Sequence, residues 1–464
     1  MTGSVPQPVS RSASGDQSPV CLAPPTAVHV NPVRSSIESP PRHSQTTVSA
    51  RRPGVGSLVL LASIVVSLLA SSSAPTPLYA TYARMWGFSP ITTTVVFGVY
   101  AIAVLLSLLI FGRVSDHIGR RPVLLGALGL QTAAMAVLTT AQGLDALFLG
   151  RVLQGLSTGG ALGALGAAML DVDRRRGTLA NAVVPGVGTG MGALLSGSLV
   201  QYAPAPTHLV YLVLIGVFVV QGAAVICMPE TVGRTPGVRA ALRPELTVPS
   251  NLRGPVLAAA PILFAVWALA GFYGSLGPAL ARQLSGSSST VVAGLGLFLL
   301  AVTGSLAALT LDRAAPRTVM LLGIALLAAG SIATLAAVDT ESTLGFFSST
   351  IIAGAGFGAG YQGGIRTVVP RAAPHERAGV LSVLFVVCYL GLGVPSAIAG
   401  ALIVHGTGLI TTARDYTLFI VVLAGAALAG LLLTNRSAQP VRPTWTCASR
   451  RASGNGSHGD RDAQ

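Results

Sequence analysis

The sequence predicts an all-α polytopic membrane protein, twelve transmembrane helices in two pseudo-symmetric six-helix bundles. Three observations carry that expectation. Apolar runs recur along the 464-residue chain, each about 20 residues long, which is what crosses about 30 Å of hydrocarbon. One long polar connection, PETVGRTPGVRAALRPELTVPSNLRG, divides those runs six and six. Motifs of the first half return in the second at an almost constant spacing. The bulk composition agrees: 51% hydrophobic, 9% charged, with a mean hydropathy of +0.69, outside the range of ordinary soluble domains.

The elements follow in chain order. Residues 1–54 are rich in Ser, Pro, Thr and Arg and lack periodicity, so a disordered tail is expected; it has no apolar core of a signal peptide. The first span, near 56–79, is free of charge. The second, near 90–111, opens on Ser89-Pro90, an N-cap followed by a proline at the first helical position. The third lies near 122–141, after a short basic loop. The fourth, near 145–169, carries Arg151 and a ladder of Gly155, Gly159 and Gly163; the fifth, near 179–201, is also glycine-rich. The sixth, near 207–228, completes an N-terminal bundle over 55–228, and 229–253 is a linker. The C-terminal bundle, 254–435, repeats the plan with spans near 254–277, 289–311, 318–338, 344–368, 378–404 and 415–434. Residues 436–464 read as a second disordered tail. The 55 glycines suit helices whose backbones approach closely.

Net charge is +14, and all 29 basic residues counted as Lys or Arg are arginine. Without lysine the chain has no Walker-type phosphate loop and no Schiff-base amine. The arginines stand between spans, which marks them as topology determinants rather than a nucleic-acid footprint. With both termini in the cytoplasm, the outer connections hold only Arg84, Arg282 and Arg414, and Arg151 is inside a span. The rest, including Arg113, Arg174–Arg176, Arg234, Arg239, Arg243 and Arg253, fall inside. Trp86 and Phe88 in the first outer loop suit an interfacial aromatic belt. Cys21, Cys227, Cys388 and Cys447 are too scattered for a disulfide framework or zinc site, and the histidines form no ligand pair. No metal and no cofactor is expected.

The stretch GRVSDHIGRRP, Gly112–Pro122, concentrates charge between the second and third spans. Aligned without a gap on ALTLDRAAPRTVML, it places Asp116 on Asp312 and Arg121 on Arg317. Gly155, Gly159 and Gly163 recur as Gly356, Gly360 and Gly364. Two parallel six-helix repeats about an axis along the membrane normal are one transporter architecture. Gly112 and Gly119 allow a tight turn, and Asp116 can accept from Arg121 or from a neighbouring helix N-terminus. A plain positive-inside hairpin explains the arginines but not the spaced Gly-Asp-Gly-Arg-Arg.

That stretch, in that position, resembles the signature loop of the major facilitator superfamily, G-x-x-x-D-x-x-G-R-R/K. The resemblance covers residues 55–435. It implies two rocking six-helix bundles, a central cavity and alternating access, with Gly112, Asp116, Gly119, Arg120 and Arg121 governing the switch. The second-half copy at Asp312 and Arg317 has lost its glycines. The fourth-span pattern of the family, R-x-x-x-G with a nearby Gln, matches Arg151, Gln154 and Gly155, which implies a role in proton coupling or cavity polarity. An arginine snorkelling outward is the plainer account. The fifth span resembles the glycine-rich signature of the family's bacterial exporters through Gly186, Gly188, Gly190 and Gly192, although Ala193 stands where that signature has proline. Close packing alone also explains these glycines.

Polar and aromatic residues in apolar spans are the cavity candidates: Asn181, Trp267, Tyr273, Tyr361 and Gln362 for substrate, with Tyr79, Gln131, Gln221 and Tyr389 beside them. No carboxylate falls at mid-membrane, so the substrate is expected to be neutral or anionic, with Arg151 the strong intramembrane charge. The expected protein is a monomeric secondary transporter of the bacterial cytoplasmic membrane. It is expected to export a small molecule and not to be an enzyme, since no paired His/Asp or Ser/His set occurs in the spans. Protons are the expected coupling ion. Uptake or facilitated diffusion of a sugar or other metabolite is the alternative, and a non-transporting membrane sensor a lesser one.

Overall fold

In the computed structural model the described residues are 54–436, except 234 and 374. The two expected tails, save Gly54 and Arg436, therefore lie outside the described residues, as do Cys21, Cys447 and Arg234. Twelve long helices run in order: α1 Val55–Ser73, α2 Pro90–Phe111, α3 Arg120–Thr139, α4 Leu144–Val172, α5 Arg174–Tyr202, α6 Leu209–Cys227, α7 Arg253–Ser275, α8 Thr290–Thr310, α9 Pro316–Asp339, α10 Thr343–Val368, α11 Arg377–Leu402 and α12 Leu409–Arg436. Eleven of the described helices are long and apolar enough to cross a membrane. The twelfth, α4, has the length, but Arg151, Gln154 and its glycines lower its hydropathy. Its position between α1, α2, α3 and α5 keeps those residues from lipid.

Each half uses one set of pairings. The first helix of the half packs on the fourth, fifth and sixth, the second on the fourth, and the third on the fourth and sixth. The halves meet along α5–α8 and α2–α11, again equivalent pairs. Two compact cores result. One is built around Leu61, Ile64, Leu124, Met135 and Tyr211, the other around Ile262, Phe272, Tyr273, Leu327 and Phe346.

Three expectations are corrected in detail. The first span does not run to residue 79. It ends at Ser73, because Pro75 and Pro77 have no N–H to continue the ladder, and a short helix Tyr79–Trp86 follows. The twelfth span begins earlier than residue 415, at Leu409 after the positive-φ Gly406 and Gly408. The glycine repeat also has a different register. Gly155 and Gly159 bring α4 against Ala103 and Val104 of α2. The residues that do the same on α10 against α8 are Gly354 and Gly358, not Gly356, which meets Leu327 of α9, nor Gly360 and Gly364, which meet α7. Because α10 carries glycines on three faces, a four-residue spacing matches in more than one register.

Candidate functional site

Three polar assemblies stand on this frame. The first is a guanidinium inside the N-terminal half. The carbonyl of Ser71 would normally accept from residue 75, which is proline, and the N–H of Thr76 turns back to Ser73 (3.0 Å). The end of α1 is thus left with free carbonyls and the negative pole of its helix dipole. The α4 side chains take them. Gln154 Nε2 donates to the Ser71 carbonyl at 2.8 Å, and Arg151 Nη1 donates to the Ser72 carbonyl at 2.9 Å and to Gln154 Oε1 at 2.5 Å. Arg151 Nη2 donates to Tyr79 Oη at 2.5 Å. Its Cζ lies 4.8 Å from the Tyr100 ring centroid and 5.6 Å from that of Tyr79. Tyr100 Oη donates to Ser72 Oγ at 2.8 Å, and Gln131 Nε2 to Ser71 Oγ at 2.6 Å. Arg151 is 0% exposed, so it neither snorkels nor borders the space between the halves. Its charge is held by neutral oxygens and ring faces, and it forms no ion pair among the described residues.

The second assembly belongs to the C-terminal half. Trp267 of α7 stands between Tyr389 of α11 (centroids 4.8 Å apart) and Tyr361 of α10 (6.1 Å). All three rings are half-buried. Trp267 and Tyr389 reach the seam, where they pack on Phe97, Ala101 and Leu392. The indole N–H of Trp267 has no hydrogen-bond partner among the described residues. Other candidates are placed elsewhere. Tyr273 is a core residue, fully buried, sharing a 2.7 Å hydrogen bond with Thr350 and packing on Phe272 and Phe346. Gln362 donates to the Ala308 carbonyl (2.9 Å), Asn181 to the Gly166 carbonyl (3.1 Å), and Gln221 links α6 to Ser63 and Ser67 of α1. These are helix–helix ties.

The third assembly is the loop between α2 and α3. Arg120, 8% exposed in its side chain, pairs with Asp116 and with Asp171 of α4 (3.3 Å), and donates to Ser115 Oγ at 2.6 Å. The partner of Asp116 is therefore Arg120 and not Arg121. Gly119 is required twice: its φ is +100°, and a Cβ there would sit 2.6 Å from Glu230 Oε2. Glu230 comes from the start of the linker and accepts from the N–H groups of Arg120 (2.8 Å) and Arg121 (3.0 Å), which caps α3. Glu245 pairs with Arg113, and the N–H of Thr235 donates to the His117 carbonyl at 2.9 Å. The linker is thus strapped across the loop. In the second half Asp312 makes no ion pair among the described residues and Arg317 is exposed. There the connection is held instead by Arg366 of α10, which donates to the carbonyls of Leu311 (3.3 Å) and Ala314 (2.9 Å).

The seam between the halves is packed unevenly. At the end away from the arginine-rich loops, Thr290 Oγ1 donates to the Gly197 carbonyl (2.7 Å), Ser289 Oγ to Gln201 Oε1 (2.5 Å), and Thr94 lies against Gly400. Arg84 and Arg282 approach there too; burial, and then the charge of Arg84, push Arg282 down from its usual value. Midway, Gly190 faces Phe298 and Ala301 while Gly186 faces Ser305. Gly188 and Gly192, on another face of α5, admit Val66 and Ala70 of α1. At the arginine-rich end α5 and α8 part around a cavity of about 730 Å³ lined by residues of both.

Sequence reasoning missed the serines of α1, Tyr100, Asp171 and Glu230. The signal for the first was the run SSSAPTP, whose prolines must leave carbonyls unpaired. For Glu230 it was a carboxylate next to the proline that follows α6.

The family model for the Major Facilitator Superfamily matches residues 59–396. Among solved structures, the nucleoside transporter NupG is similar with a TM-score of 0.62 and 15% identity, over 80% of this chain and 98% of that one. A bacterial homologue of the human lysosomal transporter Spinster, in an inward-facing and occupied conformation, is similar with a TM-score of 0.64 and 15% identity, over 82% and 97%. The human organic anion transporter MFSD10 (TETRAN) is similar with a TM-score of 0.58 and 18% identity, over 81% and 99%. No curated protein matches the sequence.

Proposed function

The chain belongs to the major facilitator superfamily and is a multi-pass membrane transporter; from that premise we propose that it exports a small neutral or anionic organic molecule by alternating access, driven by protons, with no chemical change to the molecule. The observation that carries the reading is the uneven seam, packed at one end and parted at the other, with half-buried aromatic rings beside it. Such a frame can close at one end as it opens at the other. Trp267, Tyr361 and Tyr389 form the substrate side, offering ring faces and one free N–H donor to an acceptor on the substrate. Among the described residues no acidic side chain pairs with or hydrogen-bonds to these rings, which disfavours a cation. Arg151 acts through the shape and polarity of α1 and Tyr100 and not by contact. With the arginine-rich loops and both termini in the cytoplasm of a bacterial cell, the parted end faces inward.

The test is flux in vesicles of defined pH gradient, across a panel of neutral and anionic compounds. Uphill movement opposite to the proton gradient, lost in Asp116→Asn while protein remains in the membrane, is the expected result. Flux that only equilibrates, or that runs with the protons, would replace export by facilitated diffusion or uptake.

A further inference from the structure

The cavity between the arginine-rich ends of α5 and α8 gathers charge from both halves of the chain. Arg174 and Arg175, at the start of α5, and Arg313, just after α8, converge on it from the two halves of the chain. Asp312 is the one carboxylate among the lining residues. None of these three guanidinium groups forms an ion pair or a side-chain hydrogen bond among the described residues, and Asp312 forms none either. By contrast Arg113, Arg120, Arg176 and Arg414 are all paired. A positive-inside bias explains arginines in loops; it does not explain three unpaired ones brought to one concave space of about 730 Å³. Thr178 adds a hydroxyl, and Leu309, 45% exposed, gives the cavity an apolar wall on the side of the helices.

We propose that this cavity is a binding site for a phosphate-bearing anion, either the headgroup of an anionic phospholipid or a soluble phosphate compound. Guanidinium forks suit phosphate oxygens, and an excess of two positive charges requires an anion of matching charge. Because the arginines come from both halves, a bound anion ties α5 to α8 at their parted ends and holds the separation seen here. The site therefore favours one state of the transporter, whatever the transported substrate is.

The experiment uses the purified full-length chain in neutral detergent and follows thermal unfolding during titration with three probes. These are a short-chain phosphatidylglycerol, the matching phosphatidylcholine, and inorganic pyrophosphate. Saturation with the binding anion is expected to raise the midpoint by about 4 °C. Arg313→Gln is expected to weaken binding about fivefold, and Arg174→Gln/Arg175→Gln about twenty-fold. The control, Arg239→Gln/Arg243→Gln, removes two arginines of the same end outside the cavity and is expected to bind as the unchanged protein does. A response to phosphatidylglycerol alone assigns the site to a lipid headgroup; a response to pyrophosphate assigns it to a soluble anion. No response to either probe, an equal response to phosphatidylcholine, or equal losses in the control variant would overturn the proposal. Because no transport is measured, failure here is distinct from failure of the export reading.

Discussion

At the level of the seam the two halves present opposite chemistry on one set of helix pairings. The N-terminal half has a guanidinium closed in by its own broken helix, with Tyr79 and Tyr100 over it. The C-terminal half has three half-buried rings and a free indole N–H. The same division appears at the arginine-rich end, where Arg120 and two carboxylates hold the first connection and Arg366 with two carbonyls holds the second. The comparison teaches that duplication preserved the packing geometry, which glycine contacts enforce, and left polar positions free to diverge. The N-terminal half has its charge network locked inside, so that network should govern stability. Two of the C-terminal rings, Trp267 and Tyr389, pack at the seam, so they should govern recognition.

Arg151→Ala is the strongest way to break that contrast. It removes a fully buried side chain and leaves Tyr79 Oη, Gln154 Oε1 and the Ser72 carbonyl without their donor. A loss on the order of 4 kcal/mol is expected in thermal unfolding of the purified chain. Arg151→Lys keeps the charge but not the fork, and should lose less. An Arg151→Ala protein as stable as the original would show that the network is incidental.

Gly358→Ala tests the shared packing. A Cβ there would meet the Gly304 carbonyl oxygen at 1.9 Å, so α10 must leave α8, at a cost of about 2 kcal/mol or more. Gly160→Ala, whose nearest outside atom is 3.5 Å away, should unfold no earlier than the original. Equal midpoints for the two variants would refute the revised glycine register.

Trp267→Phe sharpens the other side. Apparent substrate affinity in the vesicle assay should fall about tenfold, while the unfolding midpoint moves little. Tyr273→Phe, in the closed core of the same half, should cost about 1 kcal/mol through Thr350 and leave affinity unchanged. If the two exchange effects, the substrate side has been misplaced.

The smallest effect concerns the seam's packed end. Arg84→Glu turns the repulsion toward Arg282 into attraction, which should hold that end shut and slow flux about twofold. Raising the salt concentration should remove the difference, since Arg84 is exposed.

Helix number and the signature loop were legible because each rests on local composition: long apolar runs, and a turn with spaced glycines. The partner of Asp116 was not, since Arg120 and Arg121 lie four and five residues on and only the face of α3 selects between them. Tyr273, Tyr361 and Trp267 looked alike as ring-bearing residues of apolar spans. Helix rotation puts the first in the core, brings Trp267 to the seam, and sets Tyr361 behind it against Trp267.

By itself, then, the sequence determined the membrane class, the duplication and the sites of charge, because hydrophobic length and loop chemistry are properties of contiguous residues. The tertiary structure alone decided which charges are satisfied and which are free. Ser71 and Ser72 lie some eighty residues from Gln154 and Arg151, and Arg313 is more than a hundred from Arg174. A buried cation needs oxygens arranged in space, and an anion site needs cations converging in space, so neither can be read from order along the chain.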